Sequence, residues 1–197
     1  MLDEKGATSE VKALRSFQVK TVADMIDKLD WEIGMLTELQ NCTKPESVKN
    51  ASYFAINAAI TAWAVVDWLW HVANEAQQQS WMRDTPPNQK PAQRFQRKLE
   101  SLCPAMRLCK EIANASKHLS PGRFTDREVR TSGPEYVTIH ATAGTLRAGE
   151  PIATHSAWLL IWASSETHTA KSVLEQANDF LWGFAYKEGL LNSPETS

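Results

Sequence analysis

A mainly α-helical bundle with a small antiparallel β insertion before its last helix is the fold that the sequence predicts. Three observations point to it. No glycine stands between Gly34 and Gly122, so that half of the chain lacks a residue that weakens helix interiors. Apolar residues recur there at the 3.6-residue period of a helix face, whereas over residues 136–163 alternation of period two takes over, as in strands. The helical period then returns at Val173, Leu174, Ala177, Phe180, Leu181 and Phe184. A chain of 197 residues is long enough for one domain with a real core and too short for two comfortable ones. The expected organisation is a single helical-bundle domain over 1–197, with its core at about residues 21–190 and the β insertion at about 123–163.

Taken in order, residues 1–12 are polar and expected to fray, and Phe17 and Val19 alternate with polar neighbours as in a short extended segment. Thr21, followed three positions later by Asp24, forms the pattern of an N-terminal cap. Val22, Met25, Ile26, Leu29, Ile33 and Leu36 follow at helical period, which predicts a first helix ending near Gln40. Pro45 suits the first turn of a second helix, predicted from Glu46 to about Trp81. Pro86, Pro87 and Pro91 make a connector. Phe95, Leu99 and Leu102 mark a short helical run that Pro104 interrupts or restarts, and from Pro104 a third main helix is expected to reach Leu119. Ser120, Pro121 and Gly122 end it. Val137, Ile139 and Ala141 then alternate with Tyr136, Thr138 and His140, and residues 157–163 are apolar on both faces, with Trp158, Leu160 and Trp162 on one. Gly144, Gly149 and Pro151 fall in the intervening loops, and the last helix is predicted to end near Gly189. The sequence contains no internal repeat, Gly-rich phosphate loop, Gly-x-Ser-x-Gly elbow or His-Glu-x-x-His motif.

Composition, at 43% hydrophobic and 22% charged residues, is ordinary for a globular chain apart from eight Trp, whose rings demand large buried spaces. No apolar run approaches the roughly 18 residues needed to span a bilayer, and the polar start lacks an apolar signal core. The expectation is a cytoplasmic protein with no membrane partner. Cys42, Cys103 and Cys109 are odd in number and lack Cys-x-x-Cys spacing, which suits unlinked thiols in a reducing compartment. The net charge of −2 conceals an asymmetry: residues 83–130 hold eleven Lys or Arg against five Asp or Glu, so this segment carries +6 and the remainder −8. Such a segment can form a basic face for phosphates, or a solvated surface balanced by acidic neighbours.

Residues 53–71 form the most apolar long segment, and its polar residues recur at helical spacing. Tyr53, Asn57, Asp67 and His71 fall within about a third of a helical wheel, which predicts a buried helix whose polar stripe needs partners. Two pairs stand four residues apart, Asp67 with His71 and Asn114 with His118, so each projects from one helix face. Should those helices pack side by side, the four groups converge on a candidate polar site. No cofactor is expected, although Asp67, His71 and His118 are of the types that can hold a divalent metal, with Asn114 orienting the site. Alternatively a carboxylate there fixes a histidine tautomer, or Asp67 merely accepts indole N–H bonds from Trp63, Trp68 or Trp70. Arg107, Glu111, Asn114 and His118 equally describe the solvated stripe of an amphipathic helix. His140, His155 and His168 are not tied to these pairs by spacing. The small residues at 113–116 allow close approach of another helix, either within the chain or from a second copy in a homodimer.

Ala-Ile-Thr-Ala-Trp-Ala-Val-Val-Asp-Trp-Leu-Trp-His at 59–71, followed by Ile-Ala-Asn-Ala-Ser-Lys-His at 112–118, resembles a group of uncharacterised bacterial helical proteins whose bundle is similar to the HEPN superfamily. That resemblance implies a helical bundle, commonly dimeric, in a superfamily many of whose members are RNases of toxin–antitoxin and phage-defence systems. Asn114 and His118 match the Asn-x-x-x-His part of the HEPN active-site motif, and Ala113 occupies the position of its Arg. Alanine can neither bind phosphate nor stabilise transition-state charge, so HEPN-type RNase chemistry does not carry over unless Arg107, Lys110 or Lys117 supplies the charge.

Three functions follow as expectations. The first is a HEPN-like binding or regulatory module for RNA or another phosphate-bearing partner, with Arg107, Lys110 and Lys117 as phosphate-binding candidates. The second is a metal-dependent hydrolase built on Asp67, His71 and His118. The third is a protein-interaction or structural component whose polar stripes satisfy one another.

Overall fold

A computed structural model describes residues 19–42, 45–83, 85–117, 126, 128–140 and 153–191. The fold is mainly helical with a small three-stranded antiparallel sheet. Expectations for Phe17 and the residues before it, for His118 and Leu119, for the stop at Ser120, Pro121 and Gly122, and for Ala141, Gly144, Gly149 and Pro151 lie outside the described residues.

Helix α1 (Val22–Gln40) begins and ends where its sequence signals place it. Asp24 N–H donates to Thr21 Oγ1 at 3.0 Å, and Thr21 N–H donates back to Asp24 Oδ2 at 2.9 Å, which satisfies donors that the first turn leaves without intrahelical partners. Val22, Met25, Ile26, Leu29, Ile33 and Leu36 are all buried. Helix α2 (Pro45–Val72) starts on its proline but stops short of Trp81. Ala73 bends the chain and Asn74 caps a separate helix α3 (Glu75–Met82) through a reciprocal box with Gln77, both bonds being 3.0 Å. Asn74 can accept from its own third-position N–H only in extended geometry, so the box ends one helix by starting another.

Helix α2 corrects the expectation of a buried polar stripe. Its packed face is made of small and β-branched residues, Ala51, Ala58, Ala59, Ala62, Val65, Val66 and Leu69, while Tyr53, Asn57, Asp67 and His71 are exposed. Small side chains let the neighbouring helices approach closely, so the alanine face is covered and the polar stripe is turned to water.

Helices α4 (Pro91–Leu102) and α5 (Pro104–Ala115) each begin on a proline at a first-turn position. The α3–α4 connection is closed by Arg94, whose Nε donates to Thr85 Oγ1 at 2.9 Å and whose Nη2 donates to the carbonyls of Met82 and Thr85. Trp81 lies flat on Phe95, with ring centroids 4.5 Å apart and planes inclined by 20°, and Trp70 and Phe184 complete the cluster. Part of the tryptophan excess is thereby explained by the junction of α2, α3, α4 and α6.

Strands β1 (Val129–His140), β2 (Ala153–Ala163) and β3 (Glu166–Thr169) form the sheet in that order, with a register irregularity between Thr131 and Pro134. The sheet extends past the expected insertion through β3, which joins β2 by a tight turn at Ser164 with φ of 55°. Over residues 158–162 of β2, Leu159 and Ile161 are buried, whereas Trp158 is exposed and Leu160 and Trp162 are half-buried, so the tryptophans lie on the outer face. Helix α6 (Ala170–Lys187) is capped by Thr169, whose Oγ1 accepts Ser172 N–H at 3.1 Å. It ends at Gly189, whose φ of +71° lets Leu190 N–H return to the Ala185 carbonyl at 2.9 Å. The core lies where α1, α2, α5 and α6 meet. No helix among the described residues is long and apolar enough to cross a membrane.

Candidate functional site

Helix α4 is strongly amphipathic. Phe95 and Leu99 are buried, and the opposite side repeats polar residues at Gln93, Gln96, Arg97 and Glu100, spacings of three and four that gather them on one face, with Gln89 just ahead of the helix. Lys110 of α5 stands across from them, and together these six line a polar groove of about 490 Å³. Helix α2 contributes to its surroundings: Gln96 Nε2 donates to Asp67 Oδ1 at 3.4 Å, and Lys110 Nζ lies 5.8 Å from the centroid of the Trp63 ring.

Charge within the groove is unequally committed. Lys110 Nζ is 3.0 Å from Glu100 Oε1 and 4.0 Å from Glu111 Oε1, so both acids are engaged by one ammonium. Arg97 is exposed and makes no ion pair or hydrogen bond with another described residue. Gln89 Oε1 is buried without a hydrogen-bond donor among the described residues. The groove thus offers a guanidinium and carboxamides, a set suited to hydrogen bonding with an anionic or amide-bearing ligand.

The residues singled out from the sequence are distributed as follows. Asp67 and His71 share the exposed face of α2, and His71 Nδ1–H donates to the Asp67 backbone carbonyl at 2.7 Å. The carbonyl, not the carboxylate, therefore orients the imidazole and leaves Nε2 outward. Asn114 is half-buried one turn beyond Lys110. Helix α5 runs antiparallel to α2: Lys110 sits over Trp63, while Ala115 and Ser116 face Ser52, Ala55 and Ile56 across a cleft. From Ile56 to Asp67 is about 16 Å at 1.5 Å per residue, so Asn114 stands toward the opposite end of α2 from Asp67 and His71. His118 lies outside the described residues, among which no group of three His, Cys, Asp or Glu is placed to hold a metal ion.

Arg107 is paired with the Asp126 carboxylate, and Asp126 N–H donates to buried Glu111 Oε2 at 2.9 Å. Its bond to Asp126 raises the Arg107 pKa, and the same bond, with Glu128 N–H, holds the Asp126 carboxyl below its ordinary value. Lys117 is exposed beyond the end of α5 without such a partner among the described residues. Ala113 is 1% exposed. The three cysteines are unlinked, and burial pushes the Cys109 thiol up to about 12, which keeps it protonated and unreactive at neutral pH.

Sequence reasoning named Asp67 and Lys110 but missed Gln89, Gln93, Gln96, Arg97 and Glu100. The signal was the polar repeat on α4 opposite Phe95 and Leu99. Comparison of the chain with protein-family models, with curated proteins and with solved structures finds no match in any of the three.

Proposed function

We propose that the protein is a HEPN-like binding or regulatory module whose partner is RNA or another phosphate-bearing ligand, engaged along the α4–α5 groove. The observation that carries this reading is the uneven pairing of charge. Within residues 83–130, Arg107 and Lys110 engage Asp126, Glu100 and Glu111, whereas Arg83, Lys90, Arg97, Lys98, Lys117 and Arg130 make no ion pair with another described residue. The cationic excess of the segment is thus turned to solvent instead of being cancelled locally, and Arg97 places part of it in the groove. Guanidinium groups bind phosphate oxygens in a fixed fork, and the glutamine amides beside Arg97 can read sugar or base edges. A catalytic role is not part of the reading, because Ala113 supplies no cation to Asn114.

Binding of a short single-stranded RNA measured across a salt series tests it. Affinity should fall as salt rises, with a slope of about −0.7 per phosphate neutralised. Arg97→Ala should weaken binding and flatten that slope by about 0.7. Absence of binding at low ionic strength, or binding indifferent to salt and to Arg97→Ala, refutes the assignment.

A further inference from the structure

A second concavity lies at the other end of the α2–α5 seam, where the sheet meets the helices. Its volume is about 250 Å³, and its walls are mainly the side chains of Ala55, Ile56, Ile112, Leu159 and Ile161. For comparison, an engineered apolar cavity of about 150 Å³ stays dry and takes up benzene. None of the residues lining it is ionisable. Its polar groups are hydroxyls, and two of these have already spent their hydrogens: Ser52 Oγ donates to the Val48 carbonyl at 3.3 Å and Ser116 Oγ to the Ala113 carbonyl at 2.8 Å. Their oxygens are left as acceptors at the edge of an apolar space.

We infer that this cleft is a binding site for a small neutral molecule with a hydrocarbon body and one hydroxyl donor. A charged ligand would lose its hydration there and gain no counter-charge, whereas a hydrocarbon body gains by leaving water and a hydroxyl can donate to Ser52 or Ser116. The small residues at 113–116 acquire a purpose on this account. Ala113 packs within the chain at 1% exposure, while Ala115 and Ser116 open the mouth of the cleft. This site is independent of the groove beside Arg97.

Benzyl alcohol is a suitable probe, with benzoate as the charged comparison, each titrated into the full chain while isoleucine methyl resonances are followed. Saturable shifts at Ile56, Ile112 and Ile161 are expected with benzyl alcohol, and benzoate should bind at least about tenfold more weakly. Ala115→Leu fills the mouth from an exposed position and should abolish saturation while the circular dichroism spectrum and Tm stay those of the parent. If that variant disturbs the fold, Ser52→Leu, from the opposite wall, is expected to give the same loss. No saturation in the parent, equal affinity for benzoate, or undiminished binding in a folded cleft-filling variant overturns the inference.

Discussion

The Arg107 guanidinium grips the Asp126 carboxylate, and through that contact α5 holds the backbone that enters β1. Asp126 Oδ1 accepts Glu128 N–H at 3.0 Å, and Glu128 in turn accepts the Ser164 hydroxyl, so the tie continues to the β2–β3 turn. Ionised Asp126 is the keystone of this chain of bonds.

A pH dependence follows from the sign of the shift. The folded Asp126 pKa is lowered, first by Arg107 and then by Glu128 N–H, so its contribution is fully present above the unfolded carboxylate pKa of about 4 and is lost as pH falls through the lower folded value. Because the Arg107 side chain is 48% exposed, solvent screening limits the contribution to at most about 1 kcal/mol. Urea unfolding of Asp126→Asn should show that deficit at pH 7 and its disappearance near pH 2. A deficit that persists at pH 2 would assign the effect to packing.

The stacked pair Trp81 and Phe95 predicts a larger effect. Trp81 is 2% exposed and Phe95 1%, and Phe95 also touches Trp70 and Phe184. Phe95→Ala should cost about 3–5 kcal/mol by removing those contacts and leaving a cavity, and Phe95→Leu clearly less. Equal unfolding midpoints for the two variants would show that the cluster collapses around the space.

Which parts of this fold were legible depended on side-chain size and signal length. Helix α1 carries both a capping box and an unbroken apolar period, and both hold in the structure. The α2–α3 break is written in Asn74 and Gln77, yet the absence of glycine between Gly34 and Gly122 favours one continuous helix. On α2 the large aromatic residues drew attention from the alanines that form the packed face, and so its exposed stripe was taken for a buried one. Strand β3, four residues and all of them polar, offers too short a pattern to separate from a loop. The groove is visible in the sequence only through Lys110, because its other wall depends on how α4 packs against α5, a contact that local spacing does not encode.

Asn74 should therefore be worth measuring directly. Its side chain satisfies Gln77 N–H, and Gln77 Nε2 further donates to the Glu188 carbonyl at 2.8 Å, tying α3 to the end of α6. Asn74→Ala is expected to destabilise the protein by about 1 kcal/mol and to speed amide exchange in the first turn of α3 while leaving α1 protection unchanged. Uniform loss of protection along the chain would mean that the cap acts on global stability alone.

Placing an arginine at position 113 tests how far the proposed HEPN resemblance reaches. Ala113 is buried on α5, next to Ile112 and Asn114 in sequence, and its small side chain is what that packed position accommodates. An arginine there must either displace core side chains or stretch its guanidinium to the surface. The first outcome is expected, with Ala113→Arg lowering stability by about 3 kcal/mol or more because a buried charge without a partner is so costly. A chemical-denaturation curve decides it. Should the variant keep parental stability, the guanidinium has reached solvent beside Asn114, and an assay for RNA cleavage by that variant becomes the direct measure of whether only the missing cation separates this bundle from catalysis.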